Sequence, residues 1–432
     1  MNRADLRSAA LDIFQHVLRA VDARAAVRRA VSIDGSTVRV FNDEFRLAER
    51  PIYVVAAGKA ARSMSLGLND VLGQKIARAV VSTTRSADTP SLPSNHTLFY
   101  GGHPLPNQES FGAADAAFEL LSEANQKNAF VIFLISGGAS AMIESPVSNE
   151  ITLENLREAN QQLITCGASI SEINSVRRSF SAVKGGGLAT PLLDGDYITL
   201  IVSDTNVGDE RSVGSGPTLP ADVDATDPLE MLERYGLSRT LPLSIVEAIR
   251  DRRVESVVRV APSYTLLDND VAQQAAAERA TQLGFQAFRA VDIVEQDVVE
   301  GATQLIDSAL KLNVHNSALI SGGEFSCVVR GNGRGGRNLE TALRCAVKLE
   351  EVRPKTEVVV LSAGTDGIDG SSFAAGAIAD EATLARAREL ELDPIDFLAR
   401  SDSHAFFEAL GDLIVTGPTG TNVRDVRIVL SA

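Results

Sequence analysis

The sequence predicts an α/β fold built around a parallel sheet. Short apolar runs that end in glycine or a small polar residue recur along the chain, and each is typical of a fully buried strand: Ile52–Ala57, Phe130–Ile135 and Tyr197–Val202. Between them, Lys59–Leu72 and Gln108–Asn125 carry apolar residues at the three- and four-residue spacing of helices. Because strands that alternate with helices form parallel sheets, ligands are expected at the carboxyl ends of these strands.

The stretch before the first strand, Asp5–Asp22, predicts an amphipathic helix. Leu6, Ile13 and Phe14 recur at helical spacing, and charged residues lie between them. This pattern differs from that of a signal peptide, and nowhere do about 18 consecutive apolar residues occur, which is the length that spans a bilayer. The sequence therefore predicts a soluble protein with no membrane partner.

The composition excludes several classes of protein. The 432 residues include 41 Lys and Arg against 56 Asp and Glu, a formal net charge of −15, and 44% of them are apolar. Such a chain can bury a sizeable core, which excludes disorder as the dominant state, and its acidity disfavours nucleic acid as a partner. The three cysteines, Cys166, Cys327 and Cys345, lack the spacing of a zinc or disulfide site, which indicates a reducing cytoplasm.

A change in composition predicts two domains. Residues 222–260 are charged and helix-prone, with helices predicted at Pro228–Tyr235 and Leu243–Val257, so we place the connection between domains there. Residues 1–245 are taken as the N-terminal domain and residues 246–432 as the C-terminal one. The region after the connection is predicted to contain the helices Asp270–Leu283 and Asn338–Leu349 and the strands Ser263–Leu267, Gln286–Val291, Ser317–Ile320, Glu357–Leu361, Leu413–Val415 and Val426–Leu430.

The pentapeptide Leu-Ile-Ser-Gly-Gly occurs once in each half of the chain, at Leu134–Gly138 and Leu319–Gly323. Each copy ends an apolar run, where glycine lets backbone N–H groups converge on a phosphate. A tight strand-to-loop turn explains the repeat equally well. In the first copy we interpret Ser136 and the nearby Ser140 as anion-binding hydroxyls, because the segment lacks the G-x-S-x-G form of a nucleophile elbow.

A third glycine-rich segment, Gly331–Asn338 (GNGRGGRN), adds Arg334 and Arg337, whose planar guanidinium groups can clamp pairs of phosphate oxygens. We interpret it as an anion-binding nest, with a flexible hairpin tip as the alternative. The spacing also matches G-x-G-x-x-G. A dinucleotide site, however, would need an acidic partner near Glu350 or Glu351, inside a predicted helical stretch, so this match is weak.

Two segments bring carboxylates to predicted strand ends, Ser203–Thr218 and Thr365–Gly370. The acids in question are Asp204, Asp209, Asp366 and Asp369. Hard oxygen ligands beside a phosphate site suit Mg²⁺, which needs only one or two carboxylates. Paired Asp–Gly turns explain the second segment equally well.

Lys59 follows the first predicted strand in a Gly58–Lys59 pair. The segment is not a Walker A motif, since Tyr53 occupies the position of the first glycine and Ala60 that of the Ser or Thr. Lys59 is still predicted to add positive charge at a helix N-terminus, where anions are favoured.

A basic stretch contains Asn174, Arg177 and Lys184. It is compatible with binding of a carboxylate or phosphate, and equally with the salt-bridged surface of a helix. His103, in the segment GGHPLPN, could contact substrate or stand on a rigid turn that faces solvent. The five histidines are scattered without an i, i+4 pair, which disfavours a zinc hydrolase.

Taken in order, these segments resemble the class II glycerate kinases, whose C-terminal part is called the MOFRL domain. The resemblance covers nearly the whole chain after residue 50. It is carried by the motifs AAGKA, GGHPLPN, LISGGASA, EINSVRRSFSAVKGGGLA, SDTNVGDERSVGSGPT, ISGGE, GRGGRN, AGTDGIDG and TGPTGTNVRD. A single motif would be weak evidence, whereas the ordered set is specific.

The resemblance implies ATP-dependent phosphorylation of D-glycerate, usually to 2-phosphoglycerate, with ATP and Mg²⁺ as cofactors. It also implies a larger Rossmann-like N-terminal domain, a smaller α/β MOFRL domain and an active site in the cleft between them. Lys59, Asp204 and Arg337 match the lysine, aspartate and arginine to which the family assigns catalysis. We expect Asp204 to be the general base for the glycerate hydroxyl, with Mg²⁺ coordination as its rival role.

Further residues are expected at the site. Those expected to bind substrate or phosphate are Gly58, Ser136, Gly137, Gly138, Ser140, Asn174, Arg177, Lys184, Gly322, Gly323, Gly335, Gly336 and Asn338. The acids expected on the metal side are Asp209, Glu324, Asp366 and Asp369.

Other functions compete with this kinase. Some relatives carry the label hydroxypyruvate reductase, which implies NAD(P)H-dependent reduction of hydroxypyruvate or tartronate semialdehyde, yet the chain has no convincing dinucleotide fingerprint. A non-catalytic sensor of small anionic metabolites is a third hypothesis, and the presence of Lys59, Asp204 and Arg337 argues against it. For the kinase itself, phosphorylation of the 3-hydroxyl is the alternative. We expect a monomer or homodimer in the cytoplasm.

Overall fold

The computed structural model describes residues 2–85, 90–192, 195–206, 208–220, 226–251 and 260–432. It divides into two compact units. We call Ala23–Leu267 the central unit, and Met1–Asp22 together with Asp268–Ala432 the terminal unit. Each unit is built around its own six-stranded sheet.

The described residues contain fifteen α-helices. In chain order they are α1 (Arg3–Ala20), α2 (Ala23–Ala30), α3 (Ala61–Leu72), α4 (Gln108–Gln126), α5 (Ala139–Met142), α6 (Leu153–Thr165), α7 (Ile170–Phe180), α8 (Pro228–Arg234), α9 (Leu243–Arg250), α10 (Asn269–Gln282), α11 (Val298–Lys311), α12 (Arg337–Val352), α13 (Thr383–Glu389), α14 (Pro394–Ala399) and α15 (Ser403–Leu410). Short 3-10 helices occupy Gly73–Lys75, Gly187–Leu192, Glu210–Ser215 and Leu237–Arg239.

The described residues also contain fifteen β-strands. They are β1 (Val31–Asp34), β2 (Thr37–Val40), β3 (Asp43–Arg46), β4 (Ile52–Ala57), β5 (Ile76–Thr83), β6 (His96–Tyr100), β7 (Phe130–Ser136), β8 (Tyr197–Val202), β9 (Ser263–Leu267), β10 (Gln286–Ala290), β11 (Ser317–Ser321), β12 (Val358–Gly364), β13 (Gly376–Asp380), β14 (Leu413–Ile414) and β15 (Asp425–Ser431).

The central unit confirms the predicted parallel sheet. Its strands lie in the order β6–β5–β4–β7–β8–β9, and all neighbouring pairs are parallel. Strands β4, β7 and β8 are buried along their whole length, as their continuous apolar runs predict. Ala57 pairs with Ile135, and Ile135 pairs with Ile201, so these three strands end at the same edge of the sheet.

Two apolar clusters form the core of the central unit. One lies between the sheet and α4, where Val55 and Phe133 of the strands pack with Leu121 of the helix. The other is built by α6 to α9 and includes Phe180 and Ile245. The predicted helices at these positions are confirmed, except that residues 252–257 of the predicted Leu243–Val257 helix lie outside the described residues.

Several strands of the central unit lack a sequence signal. The antiparallel hairpin sheet β1–β2–β3 alternates buried and exposed residues over very short strands. Strand β6 lies at the edge of the parallel sheet and is only half buried, so it carries no apolar run. In β5, exposed Ala77 and Arg78 interrupt the start of the apolar segment. A strand that is buried on one face only has no continuous apolar run, so a search for such runs does not detect it.

The division into units differs from the predicted boundary between residues 245 and 246. That boundary falls inside α9, whereas the central unit continues to Leu267 because β9 pairs with β8 as the last strand of the parallel sheet. At the other end of the chain, α1 packs against α10 and β12 and so belongs to the terminal unit. Strand pairing and helix packing, which a composition change does not report, explain both differences.

The terminal unit contains a mixed sheet in the order β10–β11–β15–β12–β13–β14. Only β10 and β11 pair in parallel among its described strands; the other neighbours are antiparallel. Strand β15, the last in the chain, lies between β11 and β12 and is buried along its whole length. Charged side chains on this strand, Asp425 and Arg427, are therefore placed in the core of the unit.

Helix α1 confirms the amphipathic pattern of the N-terminal stretch. Leu6, Ile13 and Phe14 are buried, while Asn2 and Asp5 form a capping box at its first turn. Arg7 forms ion pairs with two carboxylates of the terminal unit. Among the described helices, none is long and apolar enough to cross a membrane.

Candidate active site

The loops that follow β4 and β7 are locked together by backbone contacts. The N–H of Lys59 donates to the carbonyl of Gly137 (2.9 Å), and the N–H of Ala60 donates to Ser136 Oγ (3.0 Å). Gly58 has a φ of +118° and lies so close to Ser136 that a Cβ atom would overlap the serine side chain. Only glycine fits this position, and Lys59 is thereby held directly before α3.

The glycines after Ser136 make room for two functional side chains. A Cβ atom on Gly137 would overlap the carboxylate of Asp204, and one on Gly138 would lie 3.0 Å from His103 Cδ2. Lys59, His103 and Asp204 therefore gather where the parallel strands end, as the strand-end position of their motifs predicts. We call these three residues with Gly137 and Gly138 the strand-end site. Ser140 follows it in α5.

The predicted anion-binding role of Ser136 is not supported. The side chain is fully buried, and its hydroxyl oxygen accepts the N–H of Ala60. Ser136 acts instead as the link between the two loops. Gly58 likewise serves this close approach.

The loop after β8 gives Asp209 a structural partner. Its carboxylate accepts a hydrogen bond from Ser212 Oγ (2.7 Å), and its carbonyl accepts one from Thr205 Oγ1 (3.0 Å), at the start of the 3-10 helix Glu210–Ser215. Asp209 was predicted as a metal-side acid, and this role is not supported because its carboxylate organises the turn.

The basic stretch around α7 is buried rather than exposed on a helix surface. Lys184 forms an ion pair with Glu144, and both side chains are buried. Burial lowers the pKa of Lys184, and the Glu144 carboxylate opposes that shift. Asn174 Oδ1 accepts a hydrogen bond from Ser215 Oγ (3.0 Å). The substrate-binding role predicted for Lys184 is not supported, since its ammonium group is committed to Glu144.

In the terminal unit, Arg337 is clamped by two carboxylates at the start of α12. Its Nε donates to Asp425 Oδ2 (2.6 Å), and its Nη2 donates to Asp425 Oδ1 (3.0 Å) and to Glu324 Oε1 (2.8 Å). Asp425 is 0% exposed, whereas 33% of the Arg337 side chain is accessible. We call Arg337, Glu324 and Asp425 the arginine clamp. Glu324, which was predicted on the metal side, accepts a hydrogen bond from the arginine at one carboxylate oxygen.

The charges of the arginine clamp shift the pKa values of Arg337 and Asp425 in favour of their ionised forms. Burial by itself would lower the pKa of Arg337, but the Asp425 and Glu324 carboxylates outweigh it and the net shift is upward. Burial would raise the pKa of Asp425, and Arg337 reverses that shift so that its pKa falls below the ordinary value. The pair is therefore ionised in the folded protein.

Asp369 caps the helix from which Arg337 projects. Its carboxylate accepts the N–H groups of Asn338 (3.1 Å) and Leu339 (2.8 Å), two of the donors that a helix N-terminus leaves unpaired. Gly336 lies against it, with room only for a hydrogen, because a Cβ atom would lie 2.5 Å from Asp369 Oδ1. Asp369 was predicted as a metal-side acid; the structure makes it a buried helix cap instead.

Asn338 connects the cap to the core of the sheet. Its Nδ2 donates to Asp369 Oδ1 (3.3 Å), and its Oδ1 accepts a hydrogen bond from Ser362 Oγ (2.7 Å) on β12. Asn338 was predicted to bind phosphate; buried at this position, it holds α12 on the sheet.

Three N–H groups of the predicted phosphate nest at Gly331–Asn338 are bonded within the chain. Gly333 donates to the carbonyl of Arg400 (3.1 Å), Arg334 to Asp402 Oδ1 (2.9 Å) and Gly335 to Ser371 Oγ (3.1 Å). Phosphate binding by Gly335 is therefore not supported. The glycines serve a close approach to the segment before α15.

The second Leu-Ile-Ser-Gly-Gly copy also differs from the prediction. The N–H of Gly323 donates to Asn269 Oδ1 (2.9 Å), and a Cβ atom on Gly322 would overlap the same amide. The turn is thus filled by protein atoms, so phosphate binding there is not supported. The identical pentapeptides share a strand-to-loop turn but face different surroundings, because only the first has room for Asp204 and His103.

Among the described residues, no group of three or more His, Cys, Asp and Glu side chains is arranged to hold a metal ion. Asp366, the remaining predicted metal-side acid, is half buried and accepts the N–H of Ile368 (3.2 Å) at one carboxylate oxygen.

Comparison with known proteins identifies the family. Residues 9–250 match a family model described as Domain of unknown function (DUF4147), and residues 317–425 match the MOFRL family. A D-glycerate 2-kinase from Thermotoga maritima is 35% identical over 88% of this chain and 90% of its own length. The chain belongs to the class II glycerate kinase, or MOFRL, family. Lys59 and Asp204 fall in the first matched region, and the arginine clamp falls in the second.

Two further similarities cover nearly the whole chain. A crystal structure of glycerate kinase from Thermotoga maritima superimposes with a TM-score of 0.83 at 31% identity, covering 99% of this chain and 100% of that one. A protein from Agrobacterium vitis named putative hydroxypyruvate reductase is 34% identical over 95% of each chain. The family thus carries both names that the sequence resemblance implied.

Sequence reasoning missed Asp425 and Glu144. Asp425 ends the motif TGPTGTNVRD directly before an apolar run, and an acid at the start of a buried strand signals a buried partner. Glu144 stands a few residues after the first pentapeptide copy without any such pattern. Its role follows only from its contact with Lys184.

Asp369 predicts a measurable pH dependence of stability. Burial raises its pKa to about 7 from an ordinary value of 3.8, against the lowering effect of the helix N–H groups. The folded state therefore binds more protons than the unfolded state between about pH 4 and 7, so Asp369 reduces stability as pH rises through this window. In Asp369→Asn the amide oxygen keeps one of the two acceptor positions and no group ionises, so we expect the variant to gain stability relative to wild type as pH rises from 5 to 8.

The measurement is the urea midpoint of unfolding of both proteins at the two pH values. Asp393→Asn, which replaces an exposed cap of α14, is the matched control and should show a constant difference from wild type. If the difference in urea midpoint between Asp369→Asn and wild type is the same at both pH values, the raised pKa of Asp369 is contradicted.

Proposed function

We propose that this protein is an ATP-dependent kinase that phosphorylates D-glycerate and yields 2-phosphoglycerate. One observation carries the proposal: Lys59 and Asp204 both adjoin Gly137 at the carboxyl edge of the parallel sheet, in a chain similar over nearly its whole length to a D-glycerate 2-kinase. Phosphoryl transfer asks a protein mainly to position oxygen atoms and to neutralise their charge. The ammonium group of Lys59 and the carboxylate of Asp204 at the end of the strands suit that task.

The two residues of the strand-end site take different roles. Lys59 stands directly before α3, where the helix dipole also favours negative charge, and it binds oxygens of the transferring phosphoryl group. Asp204 accepts the proton of the glycerate hydroxyl as general base, with Mg²⁺ coordination as the rival role. His103 borders the same site at Gly138 and can donate a hydrogen bond to substrate.

Arg337 stabilises charge on the phosphoryl group. Its bonds within the arginine clamp use Nε and Nη2, and Nη1 takes no part in them. With a third of the side chain accessible, Nη1 can donate to phosphate oxygens while Asp425 holds the guanidinium plane in place. Such a fixed donor needs no reorganisation when charge develops.

Mg²⁺ accompanies ATP in this proposal. The cation usually keeps several waters and takes one or two carboxylates together with phosphate oxygens. Asp204, at the strand-end site, and Asp366, in the turn after β12, are the predicted acids to which we assign this task. When bound, the cation neutralises phosphate charge. We further propose a cytoplasmic location, which the free thiols of the chain support.

Hydroxypyruvate reduction is the second candidate, since a relative carries that name. A dinucleotide fingerprint opens a helix directly after a strand, whereas the GNGRGG segment begins ten residues after β11 ends at Ser321. Its N–H groups at Gly333, Arg334 and Gly335 are bonded to residues 371 and 400–402. These features favour the kinase.

One experiment separates the candidates. Purified protein is incubated with D-glycerate, ATP and Mg²⁺ while ADP is followed, and separately with hydroxypyruvate and NADH while NADH is followed. Glycerate-dependent ADP release supports the kinase, and NMR of the product distinguishes 2- from 3-phosphoglycerate. NADH loss without ADP release would establish the reductase, and no turnover in either assay would leave a sensor.

Arg337→Lys is expected to lower kcat on the order of 10³-fold or more, the scale on which arginine contacts accelerate phosphoryl transfer. Lysine keeps the charge but loses the planar fork that pairs with Asp425 while presenting a further donor. The measurement is steady-state kinase activity, with circular dichroism to verify folding. Arg334→Lys is the matched control, since Arg334 is exposed, stacks near Phe373 and should lose little activity. Near-normal turnover of Arg337→Lys would contradict the role of Arg337 in stabilising charge on the phosphoryl group.

Asp204→Asn separates the two roles of that residue. A general base contributes typically 10²- to 10⁴-fold, so kcat should fall by that factor while the Mg²⁺ concentration for half activity stays unchanged. A metal ligand instead predicts a strongly increased Mg²⁺ requirement, with part of kcat recovered at high Mg²⁺. Titration of Mg²⁺ against rate decides between them. Wild-type behaviour in both respects would remove Asp204 from the site.

A further inference from the structure

The central unit contains a buried cluster of charges that includes a residue close after α5, the helix that follows Gly138. The cluster consists of Glu144, Arg177 and Lys184, all of which are buried. Glu144 has a partner at each carboxylate oxygen: Oε2 pairs with the Lys184 ammonium, and Oε1 accepts hydrogen bonds from Ser181 Oγ (2.5 Å) and from the N–H of Ser145 (3.0 Å). The single carboxylate of the cluster is therefore fully coordinated.

The charges of this cluster do not balance. Arg177 and Lys184 contribute two positive charges and Glu144 contributes one negative charge, which leaves one buried positive charge in excess. Arg177 is only 9% exposed, and its Nε is a buried donor with no hydrogen-bond partner among the described residues. Buried charges are costly unless they are paired and hydrogen-bonded, so this guanidinium is the unsatisfied member of the cluster.

The position of Arg177 ties it to the strand-end site. Glu144 follows α5, the short helix that begins directly after Gly138. On α7, Asn174 lies one turn before Arg177 and is bonded to Ser215 at the end of the 3-10 helix Glu210–Ser215. That helix packs on α5, where Gly214 approaches the Ala139 side chain. The same 3-10 helix contacts β7, so Arg177 lies on a helix that packs on the elements around the end of β7.

We infer that Arg177 binds the carboxylate of the hydroxy-acid substrate and so selects an acid over a neutral polyol. The inference rests on the proposed function for the identity of that acid. A guanidinium group pairs with a carboxylate through two parallel hydrogen bonds, which would satisfy the unpaired Nε. One excess positive charge matches the single negative charge of a carboxylate, whereas a phosphate brings more.

The test measures binding, so that it does not require turnover. Isothermal titration calorimetry with D-glycerate, with glycerol and with a non-hydrolysable ATP analogue is carried out on wild type and on Arg177→Met. Loss of a charged hydrogen-bond partner should weaken glycerate binding roughly 10- to 150-fold, while the affinity for the ATP analogue stays unchanged. Glycerol, which lacks the carboxylate, should bind weakly to both proteins.

Arg234→Met is the matched control. Arg234 lies on the neighbouring helix α8 and forms exposed ion pairs with Glu172 and Glu230, which contribute little. Its glycerate affinity should equal that of wild type. If Arg177→Met does not fold, Arg177→Lys keeps the charge without the fork and should still lose glycerate affinity several-fold.

Three outcomes would overturn the inference. Unchanged glycerate affinity in the folded Arg177 variants would leave the side chain a structural group. Loss of affinity for the ATP analogue instead of glycerate would assign it to phosphate. Failure of wild type to bind D-glycerate would remove the proposed ligand of Arg177. If wild type binds glycerate without phosphorylating it, the proposed kinase fails while the role of Arg177 is still decided by the titration.

Discussion

The close approach of two loops at the carboxyl edge of the parallel sheet is the constraint on which the central unit's site depends. Gly58 has no space for a side chain beside Ser136, and Gly137 has none beside Asp204. The N–H groups that follow Gly58 are bonded to the loop after β7, so Lys59 cannot move without breaking buried hydrogen bonds. Rigid backbone contact, rather than side-chain packing, sets the relative positions of the lysine and the aspartate.

In the terminal unit, the guanidinium group of Arg337 is held in place by an ion pair instead of by backbone contact. Asp425 is completely buried on a central strand, and its desolvation is compensated by the two hydrogen bonds from Arg337. The Lys184–Glu144 pair of the central unit has the same chemistry but is closed, since both partners are buried. The arginine clamp differs because Arg337 donates to its two carboxylates through Nε and Nη2 only, two of the three nitrogens of the guanidinium group. An ion pair becomes available for chemistry when one partner has donors in excess of what folding requires.

The parts of the fold that could be predicted are those whose physical signal is local. Strands β4 and β8 match the predicted bounds to the residue, because a continuous apolar run ended by a polar residue or glycine indicates burial on both faces. The gathering of Lys59 and Asp204 also follows from the sequence, since parallel strands end at one edge. Half-buried strands such as β6 carry no comparable signal.

The residues whose predicted ligand role the contacts in the structure do not support have one feature in common. A glycine-rich loop predicts a convergence of N–H groups, but the sequence does not reveal whether those groups are already bonded, as they are at Gly323 and Gly335. An acid near such a loop can be a ligand or a helix cap, and Asp369 is a cap. Asp425, the partner of Arg337, could not be predicted from the sequence, because its position depends on the pairing of β15 with β12, two segments distant in the chain.

The central place of β15 has a consequence for synthesis on the ribosome. The central unit is a continuous stretch, Ala23–Leu267, and its parallel sheet is complete once β9 has emerged. Helix α1, by contrast, precedes the central unit in the chain but packs on α10, β12 and β15, which follow that unit, so part of its apolar face stays without native partners until β15 has been made. The terminal unit can therefore be completed only after the central unit, although its first helix, α1, precedes the central unit in the chain.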